Sequence, residues 1–165
     1  HLIALGHRRI GFIGLPLTRT TGIERYAGYV RALRAHGLPA SRSLVRIGDA
    51  KQEGGRARTI ELLTKRPSIT ALFVANNLMT LGALDALRER GLRIPADISI
   101  VGFDDMPWAT LLQPPLTAVA QPTYELGQRA AELLLERFAQ PQKPVAHIEL
   151  KTSLIVRGST APLDK

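Results

Sequence analysis

The sequence predicts an α/β fold, a Rossmann-like parallel sheet with helices on both faces. Three observations carry this. Short β-branched runs alternate with longer segments of helical period along the 165 residues. The runs are apolar almost without interruption, as strands buried on both faces are, rather than alternating apolar with polar. Glycine or proline stands at the ends of most helical segments, where left-handed caps and helix stops are needed.

Taken in order, Ile10-Gly11-Phe12-Ile13-Gly14 reads as a buried strand. Ile23 to His36 reads as a helix with Tyr26, Tyr29, Val30 and Leu33 on one face, Gly37 as its cap and Pro39 as its stop. Leu44 to Ile47 is a short strand, and Glu53 to Lys65 a helix carrying Ile60, Leu62 and Leu63, ended by Pro67. Thr70 to Ala75 is a strand, Leu78 to Arg90 a helix closed by Gly91, and Ile98 to Val101 and Thr117 to Ala120 are strands. Tyr124 to Phe138 is a helix with Leu126, Ala130, Leu133 and Leu134 expected inward. Pro141 and Pro144 follow it, and Val145 to Val156 reads as two short strands. His1 to Leu5 has the pattern of a helix end terminated by Gly6, which suggests a segment cut from something larger.

Composition limits the function. Hydrophobic residues make up 45% and charged residues 22%, a balance that supports a packed globular core. No run of eighteen apolar residues is present to span a membrane, and no secretory signal is evident, so the expected location is cytoplasmic. Without cysteine there is neither disulfide nor thiolate chemistry. The net charge of +8 arises from 22 Lys plus Arg against 14 Asp plus Glu. These cations are scattered among acidic neighbours on helical segments, as on solvated helix faces, and form no dense stripe for nucleic acid.

In a doubly wound sheet, ligands bind outside the carboxyl ends of the strands. The candidate ligand residues are therefore Arg25, Asp49, Asn76, Asp104, Trp108 and Gln121, each just beyond a strand or one turn into the next helix. Carboxylates, amides and a guanidinium together can hydrogen-bond a ring of neutral hydroxyls. Each also has a structural reading: Asn76 or Asn77, and Asp49, as helix caps; Asp104 in an Asx-turn; Trp108 as packing. Arg25 near a helix N-terminus opposes the helix dipole unless an acidic group or ligand offsets it. Catalytic signatures are lacking. Gly11 and Gly14 do not complete G-x-G-x-x-G, no phosphate-binding G-x-x-x-x-G-K-[ST] occurs, and His1, His7, His36 and His147 have no metal-binding spacing. No enzyme, metal or cofactor is expected, and His36 fits the negative end of its helix.

Six segments, in order, resemble the lactose-repressor/galactose-repressor (LacI/GalR) family: HLIALGHRRIGFIG from His1 to Gly14, RYAGY from Arg25, TALFVANNLMTLGA from Thr70, LRIPADISIVGFDD from Leu92, PPLTAVAQPTYELG from Pro114 and LIVRGST from Leu154. The resemblance implies the effector-binding domain of a transcriptional repressor, built as a periplasmic-binding-protein-like pair of lobes. Residues 9–121 would be the second lobe, 1–8 a remnant of the first, 122–150 a return segment to the first, and 151–165 a C-terminal strand and tail. The helix-turn-helix headpiece would be absent. Implied partners are a small effector, usually a sugar, bound between the lobes; operator DNA, through the headpiece; and further copies in a homodimer or homotetramer. By the same resemblance Arg25 clamps sugar hydroxyls, Asn76 supplies an amide, Asp104 takes a pair of hydroxyls, and Asp49 and Gln121 complete the rim. Two positions depart from the family pattern: Asn77 stands where aspartate is usual, and Ala50 where several members place an aromatic, leaving Trp108 as the candidate platform. A periplasmic sugar-binding protein and a dimerisation module with a vestigial cleft are the alternatives.

Overall fold

The computed structural model describes residues 1–64 and 68–163. The chain runs β1 Ile10–Gly14, α1 Thr20–Ala35, β2 Val45–Ile47, α2 Gln52–Leu63, β3 Ala71–Val74, α3 Asn77–Glu89, β4 Ser99–Phe103, β5 Thr117–Ala120, α4 Thr123–Ala139 and β6 Ser153–Ile155. The sheet order is β2-β1-β3-β4-β5-β6. Its first five strands are parallel and β6 lies antiparallel to β5. The expected parallel sheet is thus a mixed one, with a single antiparallel edge strand.

Side-chain alternation along the strands splits the core in two. Ile10, Phe12, Ala71 and Val101 face α1, where they meet Tyr29 and Leu33. Ile13, Leu72, Val74 and Ile100 face α2 and α3, where they meet Leu62, Met79, Ala83 and Leu87. On the α1 side Phe12 stacks on Tyr29 at 4.8 Å between ring centres and lies 5.5 Å from Phe73. The Tyr29 hydroxyl donates to the Ile10 carbonyl at 2.8 Å. Burial, aided by neighbouring Tyr26, pushes that hydroxyl up to about 12, so it stays a neutral donor.

Helices α2 and α3 cross at glycine. A Cβ on Gly82 would sit 1.9 Å from the Gln52 carbonyl oxygen, and one on Gly55 would sit 2.3 Å from that of Met79. The caps follow the expected chemistry. Gly37 and Gly91 are left-handed, and the amides of Leu38 and Leu92 reach back to the carbonyls of Leu33 and Leu87. The His36 ring bonds the Ala32 carbonyl at 2.8 Å, near the negative end of α1.

Several expectations are corrected. His1–Gly6 forms hydrogen-bonded turns, with one Leu5 amide to His1 carbonyl bond, instead of a regular helix end. Leu2 and His7 are buried, and His7 bonds Thr70, Ser99 and the Ala161 carbonyl at the amino-terminal edge of the sheet. Of the two strands expected within Val145–Val156, only β6 forms; residues 145–152 have no strand partner. Helix α4 buries none of its side chains. Leu126 and Leu134 are exposed, and a short stretch around Pro144–Ala146 folds beside Leu133 and Leu134. Lys65 and Pro67, expected to end α2, lie outside the described residues.

Candidate functional site

Strand order reverses between β1 and β3: the chain leaves β1 toward β2, then crosses to β3 on β1's other side. A crevice opens at such a switch point, outside the carboxyl ends of the strands. Arg25, on α1, spans it. Its Nη1 donates to the Ala75 carbonyl, just past β3, at 2.6 Å. Its guanidinium carbon lies 3.6 Å above the centre of the Phe103 ring, the last residue of β4. Burial pushes the Arg25 pKa down, while Asp104 and then Glu24 draw it back. The group stays cationic, and its desolvation is offset by carboxylate, carbonyl and aromatic face together.

Asp104 follows β4 in the left-handed region, φ +73°. Its amide donates to the Val119 carbonyl at 2.9 Å, and Gln121 Nε2 donates to its Oδ1 at 2.6 Å. The other non-glycine residue at positive φ among the described residues is Ala50, at +68°, in the loop after β2. Both sit beyond the carboxyl ends of strands. Such conformations cost about 1–3 kcal/mol and persist only where their surroundings enforce them, often at ligand sites.

Arg25, Phe103 and Gln121 line one cleft of about 570 Å³, together with Thr21, Glu24 and Glu149. Its groups are mixed in sign and rich in both donors and acceptors. A second groove of about 300 Å³, between α1 and the sheet, is lined by Leu2, Tyr29, Phe73, Val101 and Leu154. That groove is almost wholly apolar, and its Tyr29 hydroxyl is already committed; it offers little to a polar ligand.

The structure therefore brings Arg25, Asp104 and Gln121 together, with Asn76 next to the Ala75 carbonyl that Arg25 holds. Asn76, not Asn77, is the cap of α3: its Oδ1 accepts from the Met79 amide at 2.9 Å. Arg25 and Gln121 line the cleft, whereas Asp49, Asn76, Asp104 and Trp108 do not; Asp104 is tied to it through its bond to Gln121. The Asp49 carboxylate accepts from the Lys51 amide at 2.9 Å and lies against Gly54. Trp108, in the 3-10 turn Pro107–Thr110, packs against the core on the α2–α3 side. The ring facing Arg25 is Phe103, which lies past the strand read as Ile98 to Val101 and ends β4 in the structure. No grouping of three metal-ligating side chains occurs among the described residues.

Residues 1–160 match the periplasmic binding protein-like domain family. The HTH-type transcriptional regulator CelR of Thermobifida fusca is 41% identical over 158 residues, covering 96% of this chain and 46% of that protein. The chain belongs to the LacI/GalR family of transcriptional regulators. A transcriptional regulator CelR–cellobiose complex superposes with a TM-score of 0.91 at 41% identity, over 96% of this chain and 48% of that one. A dimeric Lac repressor superposes with a TM-score of 0.87 at 36% identity, over 99% of this chain and 59% of that one. The chain thus spans about half the length of the curated relatives it matches. Those relatives are transcriptional regulators and not enzymes, which favours a regulator's domain over a periplasmic sugar-binding protein. No helix among the described residues is long and apolar enough to cross a membrane.

Proposed function

We propose that this domain is the ligand-sensing and dimerisation part of a sugar-responsive transcriptional repressor, acting in the cytoplasm. One observation carries the sensor reading. Arg25, Asp104 and Gln121 arrive from three different elements at the topological switch point, held by a bond to the Ala75 carbonyl and a bond between Asp104 and Gln121. Arginine offers a planar fork, the carboxylate accepts a pair of hydroxyls, and the amides do both. Acid and base are nearly balanced around the cleft, which suits a neutral polyhydroxylated ligand better than a charged one. Asn76 Nδ2 is the fourth contact, since its Oδ1 is engaged in capping α3. Phe103 is the apolar platform beneath Arg25. That a relative is described in complex with cellobiose makes an oligosaccharide the first class to try.

In this reading, residues 1–121 and 153–163 form one lobe, because Leu2, His7 and β6 pack into its sheet and its tail. Helix α4 and the segment leading to Thr152 reach toward the other lobe, consistent with a helix that buries no side chain of its own. Operator DNA is contacted by a helix-turn-helix headpiece outside this domain, and the regulator works as a homodimer or homotetramer. Calorimetric titration of cellobiose, monosaccharides and nucleobases tests the sensor, with operator binding followed in parallel on the regulator that contains this domain. A sugar that binds and shifts operator affinity supports it, and Asp104→Ala then abolishes binding while the melting transition is retained. A panel in which nothing binds overturns it in favour of a dimerisation module with a vestigial cleft, binding by a nucleobase and no sugar overturns the sugar reading, and unchanged affinity in Asp104→Ala overturns the role of Asp104.

A further inference from the structure

The two adjacent aspartates after β4 point to different tasks. Asp104 turns to Gln121, a residue of the cleft wall. Asp105 turns away, into the fork of Arg157: Nη1 donates to Oδ1 at 2.6 Å and Nη2 to Oδ2 at 2.8 Å. Arg157 is itself fixed. Its Nη1 also donates to the Leu116 carbonyl at 2.8 Å, and its backbone amide donates to Thr117 Oγ1 at 2.9 Å, which in turn donates to the Arg157 carbonyl at 3.2 Å. Both side chains are only about one-fifth exposed. A two-point, partly desolvated pair fixes direction as well as distance.

We infer that Arg157 is a positioning residue for the effector site, acting through Asp105 to hold Asp104 in its left-handed conformation with the carboxylate on Gln121, a residue of the cleft wall. Asp104 is not glycine and adopts φ +73° only because the chain is held on both sides of it. On one side is the β4 register and the Asp104 amide bond to Val119. On the other, the 104–105 peptide is set by where Asp105 is anchored, and the anchor is Arg157. A lysine keeps the charge and loses the fork, so it loosens the direction of Asp105 without removing the pair. The inference rests on the sugar-sensor reading for its consequence, though its geometry is testable without any effector.

The test uses Arg157→Lys in the 165-residue chain, with Arg93→Lys as control. Arg93 and Asp97 form a similar two-point pair at the opposite end of β4. Backbone amide exchange at Asp104 is read by NMR, cellobiose affinity by calorimetry, and the melting transition alongside. The expected result is at least tenfold faster exchange at Asp104 and roughly tenfold weaker cellobiose binding in Arg157→Lys, with neither change in Arg93→Lys. Exchange at Asp104 that is unchanged in Arg157→Lys overturns the inference, as does an equal rise in both variants or faster exchange with full cellobiose affinity. If the parent chain itself fails to bind cellobiose, faster exchange confined to Arg157→Lys still supports the positioning role, and the failure belongs to the choice of effector.

Discussion

The guanidinium carbon of Arg25 lies over the Phe103 ring, 3.6 Å from its centre. This contact removes one face of the arginine from water and leaves its edge for the Ala75 carbonyl and the cleft. The ring orients a cation that α1 would otherwise let swing. Cation–ring contacts of this kind contribute about 0.5–2 kcal/mol as they become desolvated. Phe103→Leu is expected to weaken effector binding about three- to tenfold with a small loss of melting temperature, as read by calorimetry and thermal denaturation.

Gly82→Ala tests the α2–α3 crossing. The new methyl would meet backbone atoms of Gln52 and Arg56 at 1.9 and 2.6 Å, and neither can move without shifting α2. Overpacking of this sort costs about 1–3 kcal/mol, which in a domain of this size lowers the melting temperature by about 2–12 °C. An alanine variant that melts with the parent would show that the helices have room to slide.

Ala50 offers the opposite experiment. Its left-handed backbone, φ +68°, suits glycine. The steric cost of roughly 1–2 kcal/mol for an L-residue there exceeds the roughly 0.5–1 kcal/mol by which glycine raises the entropy of the unfolded chain. Ala50→Gly is expected to raise the urea midpoint by an amount equivalent to about 0.5–1 kcal/mol of stability, with unchanged slope.

His7 makes stability depend on pH. Burial holds its pKa below the ordinary 6.5, only partly offset by its bond to the Ala161 carbonyl. That carbonyl can only accept, so Nε2 carries the proton and Nδ1 accepts from the Thr70 hydroxyl. The folded ring is therefore neutral where the unfolded one begins to protonate. The unfolded state binds more protons as pH falls below 6.5, so the His7 contribution is complete above that value and is lost as pH drops through the lowered folded value. Urea midpoints measured between about pH 5 and 8 should fall on the acid side, and His7→Gln should flatten that slope.

Much of the fold was legible because each strand is an apolar run with a helix stop beside it. Strands β1 and β5 form over the ranges their sequences suggest, and Gly37 and Gly91 cap where expected. The failures have physical causes. Val145 and Ile148 have strand chemistry but no neighbouring strand to pair with. The apolar residues of α4 show that one side is suited to a partner surface, and say nothing about where that surface is. Asn76 and Asn77 are chemically alike, so only the backbone decides which one caps. At the candidate site, positions just past a strand, or one turn into a helix for Arg25, were enough to propose Arg25, Asp104 and Gln121 as ligand residues. Phe103 was missed because an apolar residue past the expected Ile98–Val101 strand carries no polar signal, and the partner of Asp105 lies 52 positions away, a separation no local pattern spans.

The antiparallel edge strand has a mechanical consequence. The chain leaves the sheet at Ala120 and re-enters at Ser153, and these two residues are paired neighbours. Everything between them is therefore a long handle whose two roots stand side by side. A pull on the handle loads the β5–β6 ladder at one end and opens it like a zipper, one bond after another. The same pull does not shear the parallel strands behind it. Motion of α4 thus has a cheap route into this domain, along β6 toward Arg157, and the rest of the sheet serves as the fixed wall against which that motion is felt.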